Sequence, residues 1–147
     1  SFNCLEPGIC GASLYKVNTA WRATSSLGFL ESATFDTQIQ GGALLNSLIW
    51  RGTQPGGTSV DFQVAVSNSP SGPWVFRGPG GDPTNYYGAQ CPTVGAANPG
   101  AGPDRPICID RNQTSNYRYL RYKVRLQSNT LQTLTPRVDD IILNWSE

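Results

Sequence analysis

Three sets of side chains in this sequence have the types and spacing to do chemistry. In Tyr117 to Leu126, reading YRYLRYKVRL, the cations Arg121, Lys123 and Arg125 stand at alternate positions. On a strand they share one face, a candidate polyanion-binding stripe for DNA or an anionic cell-surface polymer. Arg111 and Arg137 could extend it. The plainer reading is a solvated sheet face with cross-strand partners such as Asp61 or Asp139. Trp74, Tyr86 and Tyr87 lie beside or within a Gly/Pro-rich loop and are candidate glycan-binding residues. Exposed rings stack on sugars, whereas core-covering rings do not. Asp110, Asn112, Thr114 and Asn116 offer oxygens at alternate positions, as the opening of a calcium loop does. Ser115 stands where such a loop has its glycine and Arg121 where it has its bidentate glutamate, which favours an ordinary polar turn.

The absences weigh against catalysis. The chain has no His, and with it no commonest general base and no Cys-His dyad. Zincin, serine-hydrolase, phosphate-loop and dinucleotide glycine patterns are missing. Asp139 and Asp140 are adjacent, so on a strand their carboxylates point to opposite faces and cannot flank one bond. A non-enzymatic domain without a cofactor is the expectation. With a net charge of +1 and 14% charged residues, no global field argues for nucleic acid or an acidic membrane.

Four Cys without His point to disulfides and an oxidising compartment. The spacings favour the local pairs Cys4 with Cys10 and Cys91 with Cys108, although four cysteines allow three connectivities. A Cys4 zinc site lacks the short knuckle spacing. No run approaches the roughly 20 apolar residues of a membrane span, and no Met occurs even at position 1, so a processed chain lacking an export or anchoring segment is expected.

These residues must be positioned by strands. Residues 1–26 read as an irregular, stapled entry segment in which Trp21 covers an end of the core. Leu27 to Asp36 reads as one long strand, and Ala43 to Arg51, apolar on both parities, as a central strand. Val60 to Ser67 alternates cleanly, with Val60, Phe62, Val64 and Val66 inward and Asp61, Gln63, Ala65 and Ser67 outward. Trp74 to Arg77 reads as a short strand, 78–108 as a long Gly/Pro loop closed by Cys91 and Cys108, Ile107 to Ile109 as a brief strand and 110–116 as a polar loop. In 117–126, Leu120, Tyr122, Val124 and Leu126 face inward, while Arg137 to Trp145 reads as a central or near-central strand. Turn-rich strands without a strong helix predict one all-β domain over 1–147: a two-sheet antiparallel sandwich, jelly-roll-like, with disulfide-stapled loops.

Four phrases together resemble a known family: ESATFDTQ at 31–38, NSLIWRGTQPGGTSVDFQVAVSNSPSGPW at 46–74, YRYLRYKVRLQSN at 117–129 and TPRVDDIILNWS at 135–146. They resemble the β-rich C-terminal regions of bacterial type IV pilin-like proteins, minor pilins included, whose sandwich ends in a similar NWS strand. The resemblance implies a structural or adhesive extracellular head on a pilus. Its partners would be other pilin subunits, through an N-terminal hydrophobic helix that also anchors the prepilin in the membrane, and a host-surface glycan or DNA. It carries over no catalytic residue. A free-standing carbohydrate-binding, lectin-like module using the loop aromatics is the alternative.

Overall fold

The computed structural model describes residues 26–89, 91 and 102–147. The entry segment, Trp21 and the Cys4–Cys10 pairing lie outside the described residues.

Two antiparallel four-stranded sheets form the predicted all-β sandwich, each built around one long strand. In the first, β7 (Tyr119–Gln127) is central. It pairs on one side with β4 (Ser59–Ser67) and on the other with β1 (Leu27–Glu31) and β2 (Phe35–Asp36). In the second, β3 (Ala43–Thr53) pairs with β8 (Arg137–Ser146) on one side. On its other side lie β5 (Ile107–Cys108) and β6 (Ser115–Tyr117). A single helical turn, α1 (Arg111–Thr114), sits inside the segment read as a polar loop and leads into β6.

The core lies where the facing sides meet. Val60, Phe62 and Val64 of β4 and Leu120, Val124 and Leu126 of β7 pack with Leu45, Leu48 and Trp50 of β3, all buried. Burying Trp50, Phe62 and Leu48, none of which has measurable exposure, stabilises the sandwich by roughly 1.5–3 kcal/mol per side chain.

Four expectations are corrected. The stretch 27–36 is two strands, because Ser32 interrupts it: Tyr122 N–H donates to the Ser32 hydroxyl at 3.0 Å, in place of a ladder carbonyl. Arg118 reaches across to Asp36 with two hydrogen bonds of 2.8 and 2.9 Å, which pin β2 and hold that carboxyl below its ordinary value. The mixed apolar parity of β3 and β8 comes from register shifts at Leu45/Ser47 and Arg51/Gly52, not from burial of both faces. Ala43, Leu45, Leu48 and Trp50 thus all face the core, while Ile142 on the outer side of β8 is exposed. Accordingly β8 is not central: among the described residues it pairs only with β3. Trp74 to Arg77 is not a ladder strand either; it meets β4 through one isolated bridge, Val64 with Arg77.

Candidate functional site

The antiparallel register of β4 and β7 sets Asp61 opposite Arg125, Gln63 opposite Lys123 and Ala65 opposite Arg121 on the face away from the core. Alternation predicts that face to be wet. It is covered instead. After the turn at 68–73 the chain returns along the second edge of β4, where Arg77 and Val64 exchange two backbone hydrogen bonds of 2.9 and 3.0 Å. Tyr87 and Phe62 exchange two more, of 2.7 and 2.9 Å. Between these anchors the strap loops over the outer face of β4, where Gln63 donates from Nε2 to the carbonyls of Pro83 and Asn85 at 2.8 and 2.7 Å. Both Gln63 and Ala65 are only 1% exposed, so β4 is buried on both faces.

The strap lays three rings over the three cations. Arg121 lies 5.6 Å from the Trp74 ring centroid, Lys123 4.7 Å from Phe76 and Arg125 3.9 Å from Tyr86. Each contact falls within the range in which a cation is drawn to a ring face, an attraction of about 0.5–2 kcal/mol depending on desolvation. Two rungs are closed by carboxylates. Arg125 donates from Nε and Nη2 to Asp61 Oδ2 at 3.2 and 2.6 Å, and Lys123 Nζ lies 3.8 Å from Glu31 Oε1. In the third, Arg121 donates from Nε to the Ser32 carbonyl at 2.9 Å.

Two candidate sites read separately from the sequence are therefore one layer: Trp74 and Tyr86 rest on the cationic stripe. Phe76, two residues after Trp74 and on the same side of the extended strap, belongs to it and was missed; the alternation in Trp74-Val75-Phe76-Arg77 is the signal that could have found it. Tyr87 points the other way. It is 4% exposed, takes part in the core, and its hydroxyl accepts from Asp110 N–H at 3.2 Å. Burial pushes its phenol up to about 12.

The oxygens of the calcium candidate are not gathered around one point. Thr114 is buried, with its hydroxyl donating to the Leu45 and Asp110 carbonyls at 3.3 and 3.2 Å. Asp110 Oδ2 accepts from Gly80 N–H at 2.6 Å, and Asn112 and Asn116 are exposed. A single helical turn between Asp110 and Ser115 causes the divergence, since successive helical residues fan out by about 100°. Among the described residues no group of three or more Cys, Asp or Glu side chains is placed to hold a metal ion. Arg111 and Arg137 do not extend the stripe: Arg111 lies on α1 and Arg137 on β8 of the other sheet, where it pairs with Asp139 at 3.0 Å.

Cys91 and Cys108 are disulfide-bonded, tying the distal end of the strap region to β5 beside β3. A groove of about 460 Å³ opens between the strap and α1, lined by Val66, Val75, Arg77, Gln113 and Tyr117 among others. No family model matches the chain, and neither a curated protein nor a solved structure matches it significantly.

Proposed function

We propose that this chain is an exported, non-catalytic domain with a structural or adhesive role: the head of a type IV pilin-like surface protein, working outside the cell in pilus assembly or adhesion. One observation carries the reading. The four phrases that resemble pilin-like proteins fall on the framework of one sandwich: β2, β3 with the turn into β4, β7 and β8. The phrases that carry the resemblance thus lie within one folded unit, which supports the reading. The Cys91–Cys108 disulfide suits an oxidising exterior.

Under this reading the partners are other pilin subunits, engaged through the N-terminal helix that the resemblance implies. The test is to shear filaments from cells that make the protein and probe them with antibodies raised against the 147-residue chain. Gold label along the filaments or at their tips supports the assignment; chain recovered solely as free secreted protein overturns it. The latter outcome would favour a free-standing carbohydrate-binding module. That second reading draws on the row of half-buried rings Trp74, Phe76 and Tyr86.

A further inference from the structure

We propose that Trp74 and Arg121 form a subsite for an acidic sugar, with the pyranose ring lying on the indole and its carboxylate or sulfate on the guanidinium. The inference rests on the adhesive reading and names its ligand class.

The three rungs of the cation-aromatic layer differ in one respect. Opposite Arg125, β4 places Asp61; beside Lys123, β1 places Glu31. Opposite Arg121, β4 places Ala65, and no carboxylate among the described residues forms an ion pair with Arg121. A guanidinium has five N–H donors in a planar fork. Here the Nε–H is held by Ser32 O at 2.9 Å and the guanidinium carbon lies 5.6 Å from the Trp74 ring centroid, while no hydrogen bond or ion pair within the described residues engages the Nη groups, the donors that can meet an oxyanion. The Nε anchor restricts the fork before a ligand arrives, so less rotamer entropy remains to be lost on binding.

The indole lies over Gly72, in space that a side chain there would take: a Cβ would stand 2.8 Å from Trp74 Cδ1. The ring keeps part of its surface exposed, and Ala33 and Thr34, which follow Ser32 in the break between β1 and β2, are small and exposed. An aromatic platform next to one oriented guanidinium suits a sugar ring bearing a single anionic group. It does not suit a nucleic-acid backbone, because phosphate binding gains its strength from several uncompensated cations and the other two here are already paired.

The ¹⁵N-labelled 147-residue chain is titrated by NMR with trigalacturonate, a κ-carrageenan tetrasaccharide, maltotetraose and a 12-bp DNA duplex. Saturable shifts of the Trp74 indole N–H are expected with one or both acidic oligosaccharides, the first reporting carboxylate and the second sulfate, and none with maltotetraose. R121Q and W74A should each weaken binding at least about tenfold, a loss of about 1.4 kcal/mol. R51Q, remote and exposed, should leave it within about twofold, well under that loss. W74F, which retains a ring, substitutes for W74A if the latter does not fold, and R121K is read beside R121Q. Three results overturn the subsite: no response to either acidic oligosaccharide, equal response to maltotetraose, or preference for the duplex. Binding that R51Q weakens as much as R121Q does would reduce it to diffuse charge. Filament location is read independently by shearing, so failure here leaves that assignment standing.

Discussion

The Asp61–Arg125 rung gives the sharpest stability test of the covered sheet face. Arg125 directs two charge-assisted hydrogen bonds to one Asp61 oxygen while its guanidinium rests on Tyr86. The two side chains are 29% and 18% exposed, between a surface pair and a buried one. Hydrogen bonds to charged groups contribute about 1.5–3 kcal/mol when shielded, whereas exposed pairs give about 0.2–1 kcal/mol. Partial screening sets the expected coupling between them, at about 1–2 kcal/mol. The assay is a double-mutant cycle of D61A, R125A and the double variant, each followed by urea unfolding. D61A alone should cost about 2 kcal/mol, because it leaves a half-buried guanidinium without its acceptor. For a chain of this size that corresponds to a melting temperature lowered by roughly 4–8 °C. R121Q, whose guanidinium meets no carboxylate among the described residues, should cost less than D61A. A coupling energy below about 0.3 kcal/mol would refute the argument, since the strap would then leave the pair as screened as any surface ion pair.

Other outcomes follow from the same geometry. At Gly78 a Cβ would collide with the Asn85 backbone carbonyl, so G78A must part the two legs of the strap; a loss of more than about 2 kcal/mol in urea unfolding is expected, with Trp74 becoming more accessible to acrylamide quenching. Tyr87 favours its neutral phenol in the fold, with a pKa raised from 10.0 to about 12. Its contribution is fully present below pH 10 and is lost as pH rises towards 12, on the order of 2–3 kcal/mol in all; absorbance at 295 nm should show a late-ionising tyrosine that Y87F removes. The Cys91–Cys108 bond closes a loop with a sequence separation of 17. The C91S/C108S double variant should therefore lose about 3 kcal/mol by loop-closure entropy, measured against the wild-type chain with and without reductant.

The legible part of the fold was the part that local chemistry decides. Alternation in Val60-Asp61-Phe62-Gln63-Val64 and in Leu120-Arg121-Tyr122-Lys123-Val124 fixes which side of each strand is apolar, and burial of Phe62 and Val124 follows from it. The turn residues between β3 and β4 dictate their adjacency in the chain, but not their separation into different sheets. Cysteine spacing favoured the Cys91–Cys108 bond that forms. Parity misled where a bulge shifts register, at Leu45/Ser47 and Arg51/Gly52, because a bulge is settled by pairing with a distant strand and leaves no local period.

The character of the candidate site was decided by tertiary structure alone. Sequence supplied the cations at 121, 123 and 125 and the aromatics at 74, 76 and 86, but their meeting depends on a strap that pairs with β4 only at Arg77 and Tyr87. Nothing in the period of either segment encodes that contact. Whether Asp61, Glu31 or no acid at all stands beside a given cation likewise depends on strand register, and register is set by the summed burial of the opposite face. Residue types and side-chain alternation are properties of the chain; which charges are compensated is a property of the packed sheets.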